Sequence, residues 1–273
     1  MNLSGLSLVS WECFSSRESL ASPHMRMLKI EDVTVRYSRK GQPVLDHINL
    51  VAEPGECVAL VGPSGAGKTT LLRSINSSVP IQSGSVWVGD VHVSAVRGRA
   101  LRQIRSRIAF IAQKHDLVDR LKVYQNVMAG ALGRWSTAHG LRFLIWPRRA
   151  ELDEAREALE SVGLAHKLRS RTTELSGGEQ QRVAIARALV QKPLIILADE
   201  PVASLDPETA AQVLKLLCDL AKSRRIALIC SLHLPDLARQ YFDRLVRITT
   251  GRAVAVPSAV ISSASREQAS VPC

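Results

Sequence analysis

Apolar and polar positions alternate with period two over 28–37 and again over 45–51, the pattern of strands with one buried face. Turn residues follow each, at 39–43 and at 53–56. Three short runs are instead apolar throughout: Cys57-Val58-Ala59-Leu60-Val61, Leu194-Ile195-Ile196-Leu197-Ala198 and Ile226-Ala227-Leu228-Ile229-Cys230. Five such residues between polar flanks predict strands buried on both faces. Residues 84–93 predict a short β pair, 107–113 another strand, and 244–249 a last one. Helical spacing is predicted for 70–75, 123–132, 151–162 with a stop at Gly163, 176–191, 207–222 and 235–241. Strands thus stand on both sides of a mostly helical stretch, 114 to about 175. The simplest architecture is an α/β domain with a parallel sheet and an inserted helical segment.

The first candidate chemistry sits directly after the run 57–61. There the chain reads Gly62-Pro63-Ser64-Gly65-Ala66-Gly67-Lys68-Thr69, followed by Thr70 and the helix. A strand, a glycine-rich turn and a helix in this order form a phosphate-binding loop. The glycines let successive backbone N–H groups turn inward, Lys68 adds a cation for the β- and γ-phosphates, and Thr69 offers Mg²⁺ a hydroxyl. The helix after the loop presents its positive end to the same anion.

Asp199 and Glu200 end the second apolar run. In open α/β sheets ligands bind at the carboxyl ends of the strands, so both carboxylates face the same ligand. Asp199 is placed to hold Mg²⁺ with Thr69, and Glu200 to take a proton from the water that attacks the γ-phosphate. Leu175-Ser176-Gly177-Gly178-Glu179-Gln180 opens a further helix. Small residues at a helix start make a second anion cradle.

A formal net charge of +11 suggests acidic partners: nucleotide, nucleic acid or anionic lipid. The arginines at 97, 99, 102, 105 and 107 have no aromatics between them for base stacking and read as a solvated helix face. Residues 134–149 hold Leu141-Arg142-Phe143-Leu144-Ile145-Trp146-Pro147, a basic aromatic stretch suited to a membrane surface, to a partner or to ordinary packing. Cysteines at 13, 57, 218, 230 and 273 form no Cys-x-x-Cys pair and are expected to be free in a reducing compartment. The apolar runs are too short to span a membrane. The Ser-rich start and the Ser/Ala-rich end are expected to be disordered, with Met25 or Met27 as alternative starts.

Taken in order, the loop 62–69, Gln113, 175–180 and Asp199-Glu200 resemble the ATP-binding cassette (ABC) ATPases over about residues 28–256. The Leu-Ser-Gly-Gly-Glu segment is diagnostic of that family among phosphate-loop proteins. The resemblance implies a P-loop NTPase (RecA-like) core with an antiparallel β subdomain and an inserted α-helical subdomain. The cassette would span 27–256, with helical residues about 114–176, between an extension at 1–26 and a tail at 257–273.

The resemblance also implies ATP and Mg²⁺ as ligands. Nucleotide contacts would be Tyr37 on adenine, then Gly62, Pro63, Ser64, Gly65, Ala66, Gly67, Lys68, Thr69 and Thr70, with Ser176, Gly177, Gly178 and Asp206 completing them. Asp206 belongs to Ser204-Leu205-Asp206, the loop that crosses to a second subunit. Thr69, Gln113 and Asp199 would serve the metal, and Glu200, His233, Gln113 and Lys68 the catalysis. Since a phosphate loop of one copy faces the Ser-Gly-Gly segment of another, a homodimer is expected. So are two transmembrane permease subunits, a periplasmic substrate-binding protein, and a peripheral place on the cytoplasmic face of the inner membrane; no nucleic acid is expected.

Finer resemblance, through 196–207, Leu232-His233 with Asp236-Leu237-Ala238, and the insertion 133–147, is to the phosphonate-import ATPases. Other oxyanions or an amino acid remain alternative cargoes, and a nucleic-acid ATPase a more distant one. Thr69, Glu179 and Ser77 depart from the commoner Ser, Gln and Gly. Gln113 and 124–149 are expected to dock a permease helix.

Overall fold

The computed structural model describes residues 26–38, 41–113 and 116–255. Most of the expected extension, the expected tail, and residues 39–40 of the predicted turn lie outside these.

The chain begins with β1 (Leu28–Val35) and β2 (Leu45–Ala52), then β3 (Cys57–Val61) and α1 (Lys68–Ile75). Next come β4 (Ser83–Val88), β5 (Val91–His92), α2 (Gly98–Arg105) and β6 (Ile108–Ile111). The helical stretch holds α3 (Val123–Met128), a tight 3₁₀ turn (Ala129–Gly133), α4 (Thr137–Ile145) and α5 (Arg149–Glu160). The remainder is α6 (Gly177–Val190), β7 (Ile195–Asp199), α7 (Pro207–Ser223), β8 (Ala227–Leu232), α8 (Pro235–Tyr241), β9 (Arg244–Thr249) and β10 (Arg252–Ala255).

Two sheets form. The first is antiparallel, in the order β2-β1-β4-β5. The second runs β10-β9-β3-β8-β7-β6, with five parallel strands and β10 antiparallel at the edge. The central strands β3, β7 and β8 are short and fully buried, apolar except for Asp199 and Ser231 near their carboxyl ends, because both their faces are covered, whereas β9 towards the edge alternates with exposed Arg247 and Thr249. Along β3, Cys57, Ala59 and Val61 enter one core, and Val58 and Leu60 the other. β7 divides the same way: Ile196 and Ala198 lie on one side, Ile195 and Leu197 on the other. One core joins this sheet to α6, α7, α8 and the helical stretch; the other joins it to α1, α2 and the antiparallel sheet. Each large aliphatic chain so buried contributes about 1.5–3 kcal/mol.

Three expectations are corrected. β1 stops at Val35, so Tyr37 lies beyond it. The helix predicted over 123–132 tightens to 3₁₀ at Ala129. β10, which the periodicity did not predict, closes a hairpin onto β9. The strand order assembles one edge of the sheet, because β8 lies between β3 and β7. The carboxyl ends of β3, β8, β7 and β6 therefore stand side by side, carrying the glycine loop, Ser231–His233, Asp199-Glu200 and Gln113.

Candidate active site

The glycine loop hangs from β3 against the neighbouring strand. At Gly62 (φ 154°) a Cβ would stand 2.1 Å from the Ile248 carbonyl oxygen, so no larger residue fits. No side chain caps α1 and its first turn holds no acid, which leaves its leading N–H groups to a ligand anion. Lys68 is buried, and its Nζ donates to the carbonyl oxygens of Gly62 (2.8 Å) and Pro63 (3.1 Å). Burial pushes its pKa down, against the pull of Glu200 and Asp199.

The carboxylates meet the loop through hydroxyls. Thr69 Oγ1 donates to Asp199 Oδ1 at 3.0 Å, and Ser231 Oγ donates to the same oxygen at 2.8 Å. Ser231 Oγ in turn accepts from the Glu200 backbone N–H at 2.9 Å. Glu200 has φ 50°, a left-handed conformation that costs a glutamate energy and turns its side chain off the line of β7. Its carboxylate is hydrogen-bonded to His233 Nε2. Strand register sets this arrangement: Ser231 is paired with Asp199 across β7 and β8, and His233 follows two residues later.

The second glycine pair is held from within the chain. Ser176 caps α6, its Oγ accepting from Glu179 N–H (3.3 Å) while Glu179 Oε2 accepts from Ser176 N–H (2.8 Å). Glu179 thus fills the position where glutamine is commoner with a reciprocal cap. The Ser176 backbone donor, then Lys167, hold its carboxyl below the ordinary value despite partial burial. A Cβ on Gly178 would lie 2.6 Å from Thr209 Cγ2, so a larger residue would have to displace the Thr209 side chain of α7. Asp206 caps α7 through Thr209 N–H at 2.9 Å. Among the described residues, no hydrogen bond or ion pair links 176–179 to 62–70.

The family profile described as ABC transporter matches residues 45–203, more than half of the chain. The chain belongs to the ABC transporter family. As an ATPase of that family it couples ATP hydrolysis to transport. It is 47% identical to the Phosphonates import ATP-binding protein PhnC of Frankia casuarinae, over 84% of this chain and 89% of that protein. It is 45% identical to Phosphonates import ATP-binding protein PhnC 1 of a Ruegeria species, over 84% and 88%. Among solved structures, cbiO1 of Clostridium perfringens, part of the ABC transporter complex cbiONQ, aligns with TM-score 0.75 and 29% identity, covering 88% of this chain and 92% of that one. A dimeric bacterial ABC transporter cassette aligns with TM-score 0.73 and 29% identity, over 85% and 99%. The two sheets and the α-helices of the described residues form the P-loop NTPase fold of these ABC cassettes.

In this ABC ATPase the exposed ring of Tyr37 stands beside the loop, its hydroxyl 3.2 Å from Thr70 Oγ1. Gln113 is exposed two residues past β6. Ser77, where the family commonly has glycine, takes the left-handed φ of 56° that glycine would favour. Ser231 is the residue that sequence reasoning missed, since only strand register brings it to Asp199.

Ser231→Ala removes one hydrogen bond from Asp199 Oδ1, which keeps Thr69, and one from the Glu200 N–H, which keeps the Ser231 carbonyl at 3.2 Å. It is expected to lower kcat about tenfold, the scale of a hydrogen bond to a charged group. The Mg²⁺ concentration for half-maximal turnover should rise, and Ser231→Thr should restore both. Steady-state kinetics with a metal titration checks this; an alanine variant with wild-type metal dependence would remove Ser231 from the site.

Proposed function

We propose that this chain is the ATP-binding subunit of a phosphonate importer, working as a homodimer against two permease subunits on the cytoplasmic face of the inner membrane. A periplasmic binding protein would deliver the cargo. The observation that carries the cargo is the 47% identity, over 84% of the chain, to a protein named for phosphonates import.

In this reading Tyr37 stacks on adenine. Lys68 and the N–H groups leading α1 hold the β- and γ-phosphates. The N–H groups at Ser176, Gly177 and Gly178 close on the nucleotide of a second copy, with Asp206 nearby. Glu200 accepts the proton of a water whose oxygen bonds to the γ-phosphorus as the bridge to ADP breaks. His233, hydrogen-bonded to Glu200, orients that carboxylate and reads the γ-phosphate. The Thr69 hydroxyl and Asp199 carboxylate, 3.0 Å apart, form the all-oxygen donor set that suits Mg²⁺, with Gln113 at its edge. Mg²⁺ bound there neutralises phosphate charge.

For the permease helix expected at Gln113 and 124–149, this reading takes a cleft that shares only Ala129, Gly130 and Gly133 with that range. A cleft of about 640 Å³ opens between α2, β6, the turn Ala129–Gly133 and α6. Leu101, Arg102, Phe110, Gly133, Arg187 and Gln191 line it. A concave, partly basic cleft of this size suits a short helix from a permease. The arginine-rich α2 thus contributes a wall as well as a solvated face.

Liposomes reconstituted with the cognate permease and binding protein test the reading. Added phosphonate should enter and raise ATP turnover several-fold, and cross-links placed at Gln191 should capture the permease. Phosphonate that neither enters nor stimulates turnover rejects the cargo; stimulation by phosphite, phosphate or an amino acid instead would rename it. Cross-links landing only outside the cleft reject the docking site.

A further inference from the structure

α4 has one face inside the protein and one outside. Ser136 caps it, accepting from His139 N–H at 3.2 Å. Gly140 and Phe143 are buried, and Phe143 meets Tyr124 edge-on at 6.1 Å and Trp135 at 5.2 Å. Arg142 donates to the Trp146 carbonyl (2.9 Å) and pairs with Glu151, which also receives His139 at 2.7 Å. The helix is therefore held firmly from below. Its other face carries Leu141, Leu144 and Ile145 at spacings of three and four, continued by Trp146. All four are exposed, Ile145 at 83% and Trp146 at 76%. Of nine large apolar side chains exposed among the described residues, these four fall within six positions, so the patch is local rather than scattered.

Charge says what covers it. Residues 134–150 contain four arginines, one histidine and no acid. The nearest acid, Glu151, is turned inward and neutralised. Arg148 and Arg149 follow the stripe and are exposed, Arg149 with 96% of its side chain free despite Asp153 at 3.9 Å. Aliphatic side chains, then an indole, then guanidinium groups is the order of depth at a lipid interface: acyl boundary, headgroup level, phosphate. None of Leu141, Leu144, Ile145 and Trp146 lines the cleft that suits a permease helix.

We propose that α4 rests on the cytoplasmic leaflet, with Leu141, Leu144, Ile145 and Trp146 in the acyl boundary and Arg148 and Arg149 on anionic phospholipid phosphates. A stripe this short binds reversibly, and it acts as a second anchor beside the permease. The placement is independent of the cargo transported.

The test uses the full chain without permease, sedimented with phosphatidylglycerol–phosphatidylcholine vesicles and with phosphatidylcholine alone. Wild type should bind the anionic vesicles, and brominated acyl chains should quench its fluorescence in a way lost in Trp146→Phe. Leu144→Ser with Ile145→Ser, which leaves net charge unchanged, should bind about tenfold less while hydrolysing ATP in solution at the wild-type rate. Arg148→Gln with Arg149→Gln should remove the preference for anionic lipid. Serine-variant binding equal to wild type would mean that charge alone holds the chain and would overturn the proposal. So would absence of wild-type binding; if the serine variant then failed to copurify with the permease in detergent, the face would belong to protein.

Discussion

Glu200→Gln should bind ATP as wild type does and hydrolyse it at least about a hundredfold more slowly, the scale of losing a positioned base. The amide keeps the size of the carboxylate and a hydrogen bond to His233, but it cannot accept the proton of an attacking water. The backbone that aims it is untouched: the Glu200 N–H is held by Ser231 Oγ at 2.9 Å, and φ remains at 50°. Binding and chemistry should therefore separate. With ATP and Mg²⁺ the variant should elute as a dimer if, as proposed, the intact triphosphate keeps two copies closed over two nucleotides. Turnover measured by phosphate release, and mass measured by light scattering, check the two halves. Near-normal turnover would take the base away from Glu200. A monomer under these conditions, with the permease present as well as absent, would reject the homodimer.

Lys68→Ala should weaken ATP binding itself by about tenfold to a hundredfold, the range expected when a charge-assisted hydrogen bond to phosphate is lost. The ammonium is buried, directed across the loop, and held by two carbonyl oxygens that phosphate oxygens can replace. Burial depresses its pKa, so in the nucleotide-free fold the charged form carries a cost below that pKa. That cost is relieved as pH rises from the depressed value towards the ordinary lysine value. Bound phosphate reverses the shift, so ATP binding at alkaline pH should take up protons, and the alanine variant should lose that uptake. Calorimetry in buffers of different ionisation enthalpy measures both. Unchanged affinity in Lys68→Ala would count against the loop as the phosphate site.

Much of this fold was legible because its central strands are buried on both sides. The runs at 57–61, 194–198 and 226–230 are five residues between polar flanks, too short for a buried helix, and β3, β7 and β8 lie there within one or two residues. The loop after β3 and the carboxylates ending β7 were legible for the same reason, since each is pinned to the end of such a run.

The features that stayed hidden depended on contacts distant in sequence. β10 is four residues with no periodicity, and it exists because β9 offers an edge. Residues 137–145 fold as a helix although three large apolar side chains face solvent, so no amphipathic pattern for a soluble helix announced them. Ser231 reaches Asp199 only through the register of two strands 32 positions apart. Asp206, expected in the loop that crosses to a second subunit, also caps α7, a role the sequence reading did not assign.

The division of β7 between two cores carries a rule of parity. Ile195 and Leu197 face one way, and Ile196 and Ala198 the other. Inserting or deleting one residue between Leu194 and Asp199 would exchange the two sets and swing Asp199 to the face away from Thr69. Natural variation in that segment can therefore proceed by replacement, and by changes of even length at most.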